Sequence, residues 1–456
     1  MTRSSLYFRI INIFLEKNIL IYINFILVIF VLTSLSYDYE VVALDETIID
    51  KFPNRSSEKF IHNNDSIIIN YPNSNITNLT NNKEDSIYGQ IAAFENDVYV
   101  VWQESVIESF PEHNYDIFFI KSEDKGKTFS MPINLSNNTE FSERPQMAVS
   151  KTGIFIVWTD TIKTNNKQIM FTKSEDNGTT FSKVISLSNN SQNSNNQEIS
   201  AFNENVYVVW RESDQNNTDS DNNNSIIFKS SPDSGNTFNN SIELIKNTND
   251  TFPKINSYGN NVYIVWNNEN KKNGGLFFIK SSDKGSNFDK ILKLGDYSDS
   301  GESQIAVDEN EVLVVWGGFL AKNISNIYYV KSNNDGNTFT DSKTISDKII
   351  GSINTKDYNK LNDIIKNPMN VETINDNNLS YVVWQNTFSK QNADILLLLN
   401  NQKDNKYITK LLNLSNNTSF SECPSIAISN NNVYIIWEDF ISGNHEILFA
   451  NIPIEI

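Results

Sequence analysis

The seven tryptophans of this 456-residue chain constrain its fold most strongly, because all of them end the same short apolar segment. The segment reads VYVVW, IFIVW, VYVVW, VYIVW, VLVVW, YVVW and VYIIW in chain order. It ends at Trp102, Trp158, Trp210, Trp266, Trp316, Trp384 and Trp437. Successive tryptophans are 56, 52, 56, 50, 68 and 53 residues apart. A period of about 55 residues that includes every tryptophan predicts a repeat architecture.

Each repeat contains four short apolar pieces, which residues 144–188 show well. In order they read PQMAVS, IFIVW, IMFTKS and FSKVISLS, with turns at KTG and EDNGTT. The pieces are rich in β-branched and aromatic residues and are bounded by Gly, Asn or Asp, which predicts four antiparallel strands. The tryptophan strand is apolar on both faces, so it should be buried between stacked sheets.

Four strands in about 50 residues, repeated around an axis, predict an all-β, seven-bladed β-propeller. The last repeat stops after HEILFANIPIEI, short of a full set of strands, and the N-terminal ITNLTNNKEDSIYGQIAAF aligns with PINLSNNTEFSERPQMAV of the next repeat. We therefore expect residues 76–80 to supply the outer strand of the last blade and so close the ring. A six-bladed ring with one decayed repeat is the alternative.

An apolar run precedes the repeats. Residues 18–37 carry no charged side chain and follow Arg3, Arg9 and Lys17. The run is about long enough to cross a ~30 Å hydrocarbon core, and the preceding positive charge favours a cytoplasmic N-terminus. The sequence thus predicts a short cytoplasmic segment at 1–17, a signal peptide or membrane anchor at 18–37, a polar tether at 38–66 and an exported propeller at 67–456. The protein would be anchored at the cell surface, or secreted if the helix is cleaved.

Composition excludes several classes of protein. The formal charge of −18 disfavours generic binding to nucleic acid or to acidic membranes. The single Cys423 cannot form an intramolecular disulfide, and His62, His113 and His445 have no zinc-site spacing. A disulfide scaffold and a Cys/His metal site are therefore excluded.

The exported part carries many N-x-S/T sequons, which are compatible with a glycoprotein. They include Asn54, Asn75, Asn78, Asn134, Asn189, Asn249, Asn323, Asn378 and Asn413.

The turn after the third strand carries a second recurring motif. It reads SEDKGKTF at 122–129, SEDNGTTF at 174–181, SPDSGNTF at 231–238, SSDKGSNF at 281–288 and SNNDGNTF at 332–339. An Asp or Asn at the third position can accept hydrogen bonds from turn amides, and glycine allows positive φ. We therefore predict a structural role for Asp124, Gly126, Asp176, Gly178, Asp233, Gly235, Asp283, Gly285, Asn334 and Gly336.

This motif resembles the Asp-box, or bacterial neuraminidase repeat (BNR), S-x-D-x-G-x-T-F/W. The resemblance covers about residues 70–456, although the sixth repeat has only NNQKDNKYIT and the seventh has no copy. It implies a sialidase-like propeller. Sialidases of this family clamp the sialic-acid carboxylate with three arginines and use a tyrosine with a glutamate as nucleophile, plus an aspartate acid/base.

The chain has too few arginines for that clamp. Arg3 and Arg9 precede the apolar run and Arg55 lies in the tether, which leaves Arg144 and Arg211 in the propeller. A three-arginine clamp cannot be assembled from the blades, and sialidase turnover would need Arg55 folded into the first blade.

Acidic residues recur in the loops that lead into the first strand and out of the second, which share one face of a propeller. This upper face is where we expect a ligand. Its charged residues are Glu143, Arg144, Glu198, Glu302 and Glu422 before the first strand, and Glu104, Asp160, Arg211, Glu212, Glu269, Glu438 and Asp439 after the second. Their carboxylates could cap loops, bind Ca²⁺, bind glycan hydroxyls or supply an acid/base pair. Ca²⁺ is the one cofactor that they suggest.

The sequence favours a non-enzymatic binding module for a glycan, protein or cation, with Glu104, Asp160, Glu198, Glu302 and Glu438 as ligand-binding candidates. The alternative is a glycoside hydrolase of the exo-α-sialidase type, with Glu143, Glu422, Glu212, Arg144 and Arg211 as its candidate residues. A third hypothesis is a structural surface or adhesion component.

Two loops depart from the repeat. The loop with Asp214, Asp219 and Asp221 lacks the Gly and the terminal Glu of an EF-hand, so we expect a solvated loop. An insertion at about 348–370, with the mildly helical DYNKLNDIIKN, should cover part of the upper face or decorate the rim.

Overall fold

The computed structural model describes most of the chain from Ile68 onward. Its ranges are 68–72, 75–109, 112–139, 141–162, 166–188, 193–213, 224–248, 250–268, 274–296, 303–320, 324–345, 365, 367–376, 379–389, 392–403, 406–440 and 443–454. The predicted segments at 1–17, 18–37 and 38–66 lie outside these ranges. None of the helices in the described residues is long and apolar enough to span a membrane.

The described residues form an all-β, seven-bladed β-propeller, as the tryptophan spacing predicts. Two short strands, β1 (Ile68–Asn70) and β2 (Ile76–Asn78), come first in the chain. The blades then follow in order, each with its innermost strand first.

Blades 1 to 4 contain strands β3 to β18. Blade 1 has β3 (Ser86–Phe94), β4 (Asp97–Ser109), β5 (Glu112–Ser122) and β6 (Ile133–Asn134); blade 2 has β7 (Phe141–Ser150), β8 (Gly153–Thr161), β9 (Lys167–Ser174) and β10 (Ile185–Ser186). Blade 3 has β11 (Asn193–Phe202), β12 (Asn205–Ser213), β13 (Asn224–Ser231) and β14 (Ile242–Thr248); blade 4 has β15 (Asp250–Tyr258), β16 (Asn261–Asn268), β17 (Gly275–Ser281) and β18 (Leu292–Asp296).

Blades 5 to 7 contain strands β19 to β29. Blade 5 has β19 (Ser303–Asp308), β20 (Glu311–Leu320), β21 (Ile324–Ser332) and β22 (Lys343–Thr344); blade 6 has β23 (Pro368–Asp376), β24 (Leu379–Ser389), β25 (Asn392–Lys403) and β26 (Lys406–Asn413). Blade 7 has β27 (Ser421–Ser429), β28 (Asn432–Asp439) and β29 (Glu446–Pro453). Residues 368–370, which the sequence analysis assigned to an insertion, belong instead to the first strand of blade 6, because they pair with β24.

The second strand of each blade is buried on both faces, as its apolar pattern predicts. In β4, Val98, Val100 and Trp102 pack toward blade 7, while Tyr99 and Val101 pack toward blade 2. No tryptophan is more than 7% exposed. Alternate side chains of one strand therefore join two neighbouring blades, and the core is the series of contacts between sheets rather than a single central cluster.

The N-terminal strand β2 closes the ring. It pairs antiparallel with β29, with Ile76 opposite Ala450 and Asn78 opposite Leu448. The prediction that this segment supplies the fourth strand of the last blade is confirmed. The sequence did not predict that β1 also adds a fifth, parallel strand to blade 6, where Ile68 lies opposite Leu411.

The recurring turn after the third strand is held by its own side chains. In the first copy, Ser122 Oγ donates to Asp124 Oδ1 at 2.7 Å and accepts from the Gly126 amide at 2.8 Å. The Thr128 amide and hydroxyl both donate to the Asp124 carboxylate, at 2.9 and 2.7 Å. Gly126 has a φ of 78°, a backbone conformation that disfavours other residues.

The same turn also joins neighbouring blades. A Cβ at Gly126 would lie 2.3 Å from Cζ of Phe449 in blade 7, and the ring of Phe129 packs edge-on against Phe449 with centroids 5.2 Å apart. Four later copies repeat this contact, as Gly178 and Phe181 on Phe119, Gly235 and Phe238 on Phe171, Gly285 and Phe288 on Phe228, and Gly336 and Phe339 on Phe278. The motif is therefore a joint between successive blades.

Candidate ligand site at the channel mouth

Six of the first strands contain a β-bulge near their start, at the upper end of the central channel. The register against the second strand shifts there, and the bulged residue has a φ between 47° and 53°. Such values are uncommon for side chains other than glycine, Asn and Asp, and strained backbone of this kind is concentrated at functional sites. The bulged residues are Tyr88, Arg144, Asn196, Phe252, Asn370 and Cys423.

All six bulged residues line one shallow cavity. Its volume is about 130 Å³, well below the ~300–1,000 Å³ of pockets that enclose a drug-sized ligand. The cavity therefore suits a terminal group of a larger ligand. The other lining residues are Gly89, Gln90, Gln146, Gln197, Glu198, Pro253, Lys254, Gln304, Val371, Glu372 and Pro424.

A wider groove of about 500 Å³ lies at the outer rim, between blades 3 and 4. Its lining includes Ile242, Leu244, Phe288 and Ile291, and it contains no bulged residue. We take the channel mouth as the candidate site because charged groups from several blades meet there.

Polar side chains two residues beyond the bulges, together with Gln304 of blade 5, form a belt whose members contact one another across blade boundaries. Lys254 forms an ion pair with Glu198 of the preceding blade. Gln304 donates a hydrogen bond to Glu372 of the following blade. The carboxylates of this belt are thus already partnered within the protein.

Arg144 presents its guanidinium at the mouth, 4.9 Å from the centroid of the Tyr88 ring. Its backbone is fixed from both sides, because its amide donates to Gln103 Oε1 at 3.0 Å and its carbonyl accepts from Gln197 Nε2. The adjacent Glu143 is paired with Lys167 instead. Among the described residues, none accepts a hydrogen bond from the Arg144 guanidinium, so its donors are available to a ligand.

A buried acid lies behind Tyr88. Glu438 is only 4% exposed, and its Oε1 accepts a hydrogen bond from the Tyr88 amide at 2.6 Å. Burial, followed by the nearby Glu422 carboxylate, raises the pKa of Glu438 to about 8. Glu438 is therefore mostly protonated at neutral pH.

The His445 ring lies between the side chains of Glu422 and Asp85. Its Nε2 lies 3.4 Å from Glu422 Oε1, and its Nδ1 lies 3.2 Å from Asp85 Oδ1. The hydrogen bond to Glu422 is the main reason that the pKa of His445 is raised to about 9, with Asp85 acting in the same direction against burial. His445 is therefore mostly protonated at neutral pH and lies against the Glu422 side chain.

The acids that stand two residues after a tryptophan are used inside their own blades. Asp160 accepts from Ser142 Oγ at 2.6 Å, from Trp158 Nε1 at 2.7 Å and from Asn138 Nδ2 at 3.2 Å. Three other blades make equivalent hydrogen bonds. Asn82, Ser86 and Trp102 donate to Glu104, and Ser194 donates to Glu212. Asn417, Ser421 and Trp437 donate to Asp439. Burial raises the pKa of Glu212.

The structure divides the predicted site residues into three groups. Arg144 and Glu198 line the cavity, and Glu422 and Glu438 lie behind it. Glu104, Asp160, Glu212 and Asp439 hold their blades together, Glu143 pairs with Lys167, and Arg211 donates to Asn224 across a hairpin at 2.7 Å. Glu302, Glu269 and the loop with Asp214, Asp219 and Asp221 lie outside the described residues.

Sequence reasoning missed the residues that form the mouth, among them Tyr88, Phe252, Asn370 and Glu372. The sequence does carry a signal for some of them. When the first strands are aligned, the triplets YGQ, RPQ, FPK and CPS fall at equivalent places. The first letter of each triplet is the bulged residue. In the part of the chain that the structure describes, no group of three or more His, Cys, Asp or Glu side chains could hold a metal ion.

Comparisons with known proteins add structural neighbours but no family. No family model and no curated protein matches the chain. A Dyadobacter fermentans protein of unknown function matches with a TM-score of 0.49 at 12% identity, covering 84% of this chain and 100% of its own. The intramolecular trans-sialidase of Ruminococcus gnavus matches with a TM-score of 0.44 at 11% identity, and the match covers 81% of this chain and 94% of that protein. The NanB sialidase of Streptococcus pneumoniae matches with a TM-score of 0.45 at 12% identity, and the match covers 90% of this chain and 73% of that protein.

Proposed function

We propose that this chain is an exported, membrane-tethered β-propeller that binds a glycan at its channel mouth through a terminal acidic group. The observation that carries the proposal is the Arg144 guanidinium, which lies at the mouth over the Tyr88 ring and has no acceptor among the described residues. The planar fork of arginine matches a carboxylate in a bidentate geometry. The nearby carboxylates that the structure describes do not compete for it, because each is paired or buried.

The remaining lining suits a sugar. Tyr88 and Phe252 offer aromatic faces, and Asn196, Gln90 and Gln146 offer amide groups that can both donate and accept hydrogen bonds. The small volume favours a terminal residue that enters the cavity while the rest of the glycan stays outside.

A glycoside hydrolase is the second candidate. It is favoured by one observation, the protonated Glu438 directly opposite Glu422 in blade 7, since glycosidases place a carboxylic acid near a second carboxyl group. Glu438 does not line the cavity, however, so a substrate at Arg144 would not contact it directly. We therefore place binding first.

The test uses the full-length chain, purified in detergent. Glucuronic acid and N-acetylneuraminic acid are titrated beside neutral glucose and N-acetylglucosamine, and fluorogenic glycosides of the same sugars report turnover. The proposal predicts saturable binding of an acidic sugar, at least about tenfold tighter than its neutral counterpart, without product formation. Product formation that Glu422→Gln abolishes would establish the hydrolase instead, and equal affinity for acidic and neutral sugars would contradict the role of Arg144.

A further inference from the structure

Glu438 occupies a position where blade 1 has an amide. Both Gln103 and Glu438 directly follow the tryptophan of a second strand, and each accepts the backbone N–H of the bulged residue in the next blade. Gln103 accepts from Arg144 at 3.0 Å and Glu438 accepts from Tyr88 at 2.6 Å. Because a neutral amide makes this contact in blade 1, support of the bulge requires an acceptor but no negative charge.

Glu438 faces a second carboxylate. It lies directly opposite Glu422 in the antiparallel ladder of blade 7, so the two side chains leave the sheet on the same face. A buried carboxyl group such as Glu438 ionises less readily when a second carboxylate lies opposite it.

The surrounding groups decide where the proton resides. From the residue just before the third strand of blade 7, His445 contacts Glu422 and is itself held by Asp85, through both its ring and its backbone amide. Cys423, in the first strand of blade 7, lies beside Glu438. Tyr88 of blade 1 contacts Glu438 through its backbone amide, and Arg144 lies over the Tyr88 ring. The His445 imidazolium lies against Glu422, and Glu438 keeps its proton because its carboxyl group is buried.

We propose that Glu422 and Glu438 form a proton-sharing pair that makes the binding of an acidic ligand at Tyr88 and Arg144 depend on pH. The proposal rests on the binding function proposed above and specifies its regulation. When Glu438 loses its proton, a negative charge appears behind Tyr88 and opposes the anion held by Arg144. The affinity for an acidic ligand therefore falls as the pH rises through the pKa of Glu438, by about tenfold overall. Glu438 acts as a positioning residue, because it touches the Tyr88 backbone and not the ligand.

The first test needs no ligand. Infrared spectroscopy of the full-length chain measures the C=O stretch of protonated carboxyl groups between pH 6.5 and 9.5. We expect one such band at pH 6.5 that disappears toward pH 9.5 and is absent in Glu438→Gln. The matched variant Glu372→Gln removes another carboxylate of the mouth and should keep the band. A wild-type protein without the band at pH 6.5, or a band that survives in Glu438→Gln, would overturn the proton-sharing pair.

The second test measures the dissociation constant of glucuronic acid at pH 6.5 and pH 9 by isothermal titration calorimetry. The wild-type constant should rise about tenfold over this interval, whereas that of Glu438→Gln should rise by less than about threefold, because the variant keeps the titration of His445 but not that of Glu438. The same slope in both proteins would overturn the linkage. If glucuronic acid does not bind at either pH, both the proposed function and the pH dependence of binding are contradicted. The infrared band tests the proton-sharing pair independently of any ligand.

Discussion

The indole nitrogen of Trp158 donates a hydrogen bond to Oδ1 of Asp160, two residues along the same strand, at 2.7 Å. The same carboxylate also accepts from Ser142 Oγ and Asn138 Nδ2, and it is only 4% exposed. One side chain therefore joins the second strand, the first strand and the loop before the blade. Blades 1 and 7 repeat this contact at Glu104 and Asp439.

Substitution Asp160→Asn should destabilise the protein strongly. Ser142, Trp158 and Asn138 all donate to the Asp160 carboxylate, and an amide in its place would direct its N–H groups toward at least one of these donors in a buried place. We expect a loss of about 2–4 kcal/mol in the free energy of unfolding, from denaturant titration of the full-length chain. The exposed Glu309→Gln is the control and should change stability by less than about 0.5 kcal/mol. If Glu309→Gln lowers the free energy of unfolding by a comparable amount, the effect cannot be attributed to the hydrogen bonds of Asp160.

The turn motif makes a contrasting pair of predictions. Asp124→Asn should be mild, because the fifth copy already has Asn334, whose Oδ1 accepts from the Thr338 amide at 3.0 Å and whose Nδ2 donates to the Thr338 hydroxyl at 3.0 Å. Gly126→Ala should cost at least about 2 kcal/mol, because the new Cβ would meet the Phe449 ring and φ is 78°. Equal losses in the two variants, measured by denaturant titration, would show that the joint between blades does not depend on the glycine.

Stability should decline between about pH 5 and pH 9. The pKa of Glu438 is raised from 4.5 to about 8 and that of His445 from 6.5 to about 9, so the folded protein keeps protons that the unfolded chain has released. Folding then takes up protons, and each group lowers the free energy of unfolding by at most about 1.4 kcal/mol per pH unit inside its window. Unfolding titrations at pH 5, 7 and 9 check this, and Glu438→Gln should have the shallower decline. Stability that rises over this range would contradict the proton assignments.

Below about pH 5, stability should change with pH in the opposite direction. Hydrogen bonds from the turn hold the pKa of Asp124, Asp176 and Asp283 at about 2, below the ordinary 3.8. Their contribution is present above about pH 4 and is lost as the pH falls toward 2. The pH of maximal stability should therefore lie near 5.

Three of the sequons should not carry a glycan in the folded protein. Asn134 Nδ2 donates to Asp116 Oδ2 at 2.7 Å, while its Oδ1 accepts from the Asn137 amide at 2.8 Å. Asn78 and Asn413 make the equivalent contacts with Glu446 and Asp394. A sugar on these amide nitrogens would break the contacts, so peptide mass spectrometry of folded protein from a glycosylating host should find all three sites unmodified. The exposed Asn75 serves as the comparison site. A glycan on Asn134 in folded protein would refute the structural role.

Local sequence patterns were sufficient for the fold, because each blade is built from contacts that recur with the repeat. The segment that ends at each tryptophan marks the buried second strand, and the likeness of residues 76–80 to later repeats revealed how the ring closes. The extra strand at Ile68 was not predictable, because three residues that pair in parallel with a distant strand leave no pattern in the sequence.

The site was harder to predict, because it depends on register and on contacts between blades. Asp160 and Glu104 look like free upper-face acids in the sequence, yet their partners Ser142 and Ser86 lie 18 residues away on the neighbouring strand. Tyr88 carries no signal of its own, since its place at the mouth follows from a bulge and from a hydrogen bond to Glu438, 350 residues along the chain. Among the residues that the structure describes, only Arg144 and Glu198 were predicted and also line the cavity.

The central claim is that Arg144 recognises the acidic group of a ligand, and a calorimetric comparison of two arginine variants tests it most directly. Glucuronic acid and glucose are titrated into the full-length wild-type chain, Arg144→Gln and Arg211→Gln. Arg211 is the matched control because it donates to Asn224 inside blade 3 and does not line the cavity. We predict that Arg144→Gln loses about 10- to 100-fold in affinity for glucuronic acid and all preference over glucose, whereas Arg211→Gln keeps both. An unchanged preference for glucuronic acid in Arg144→Gln would contradict the account.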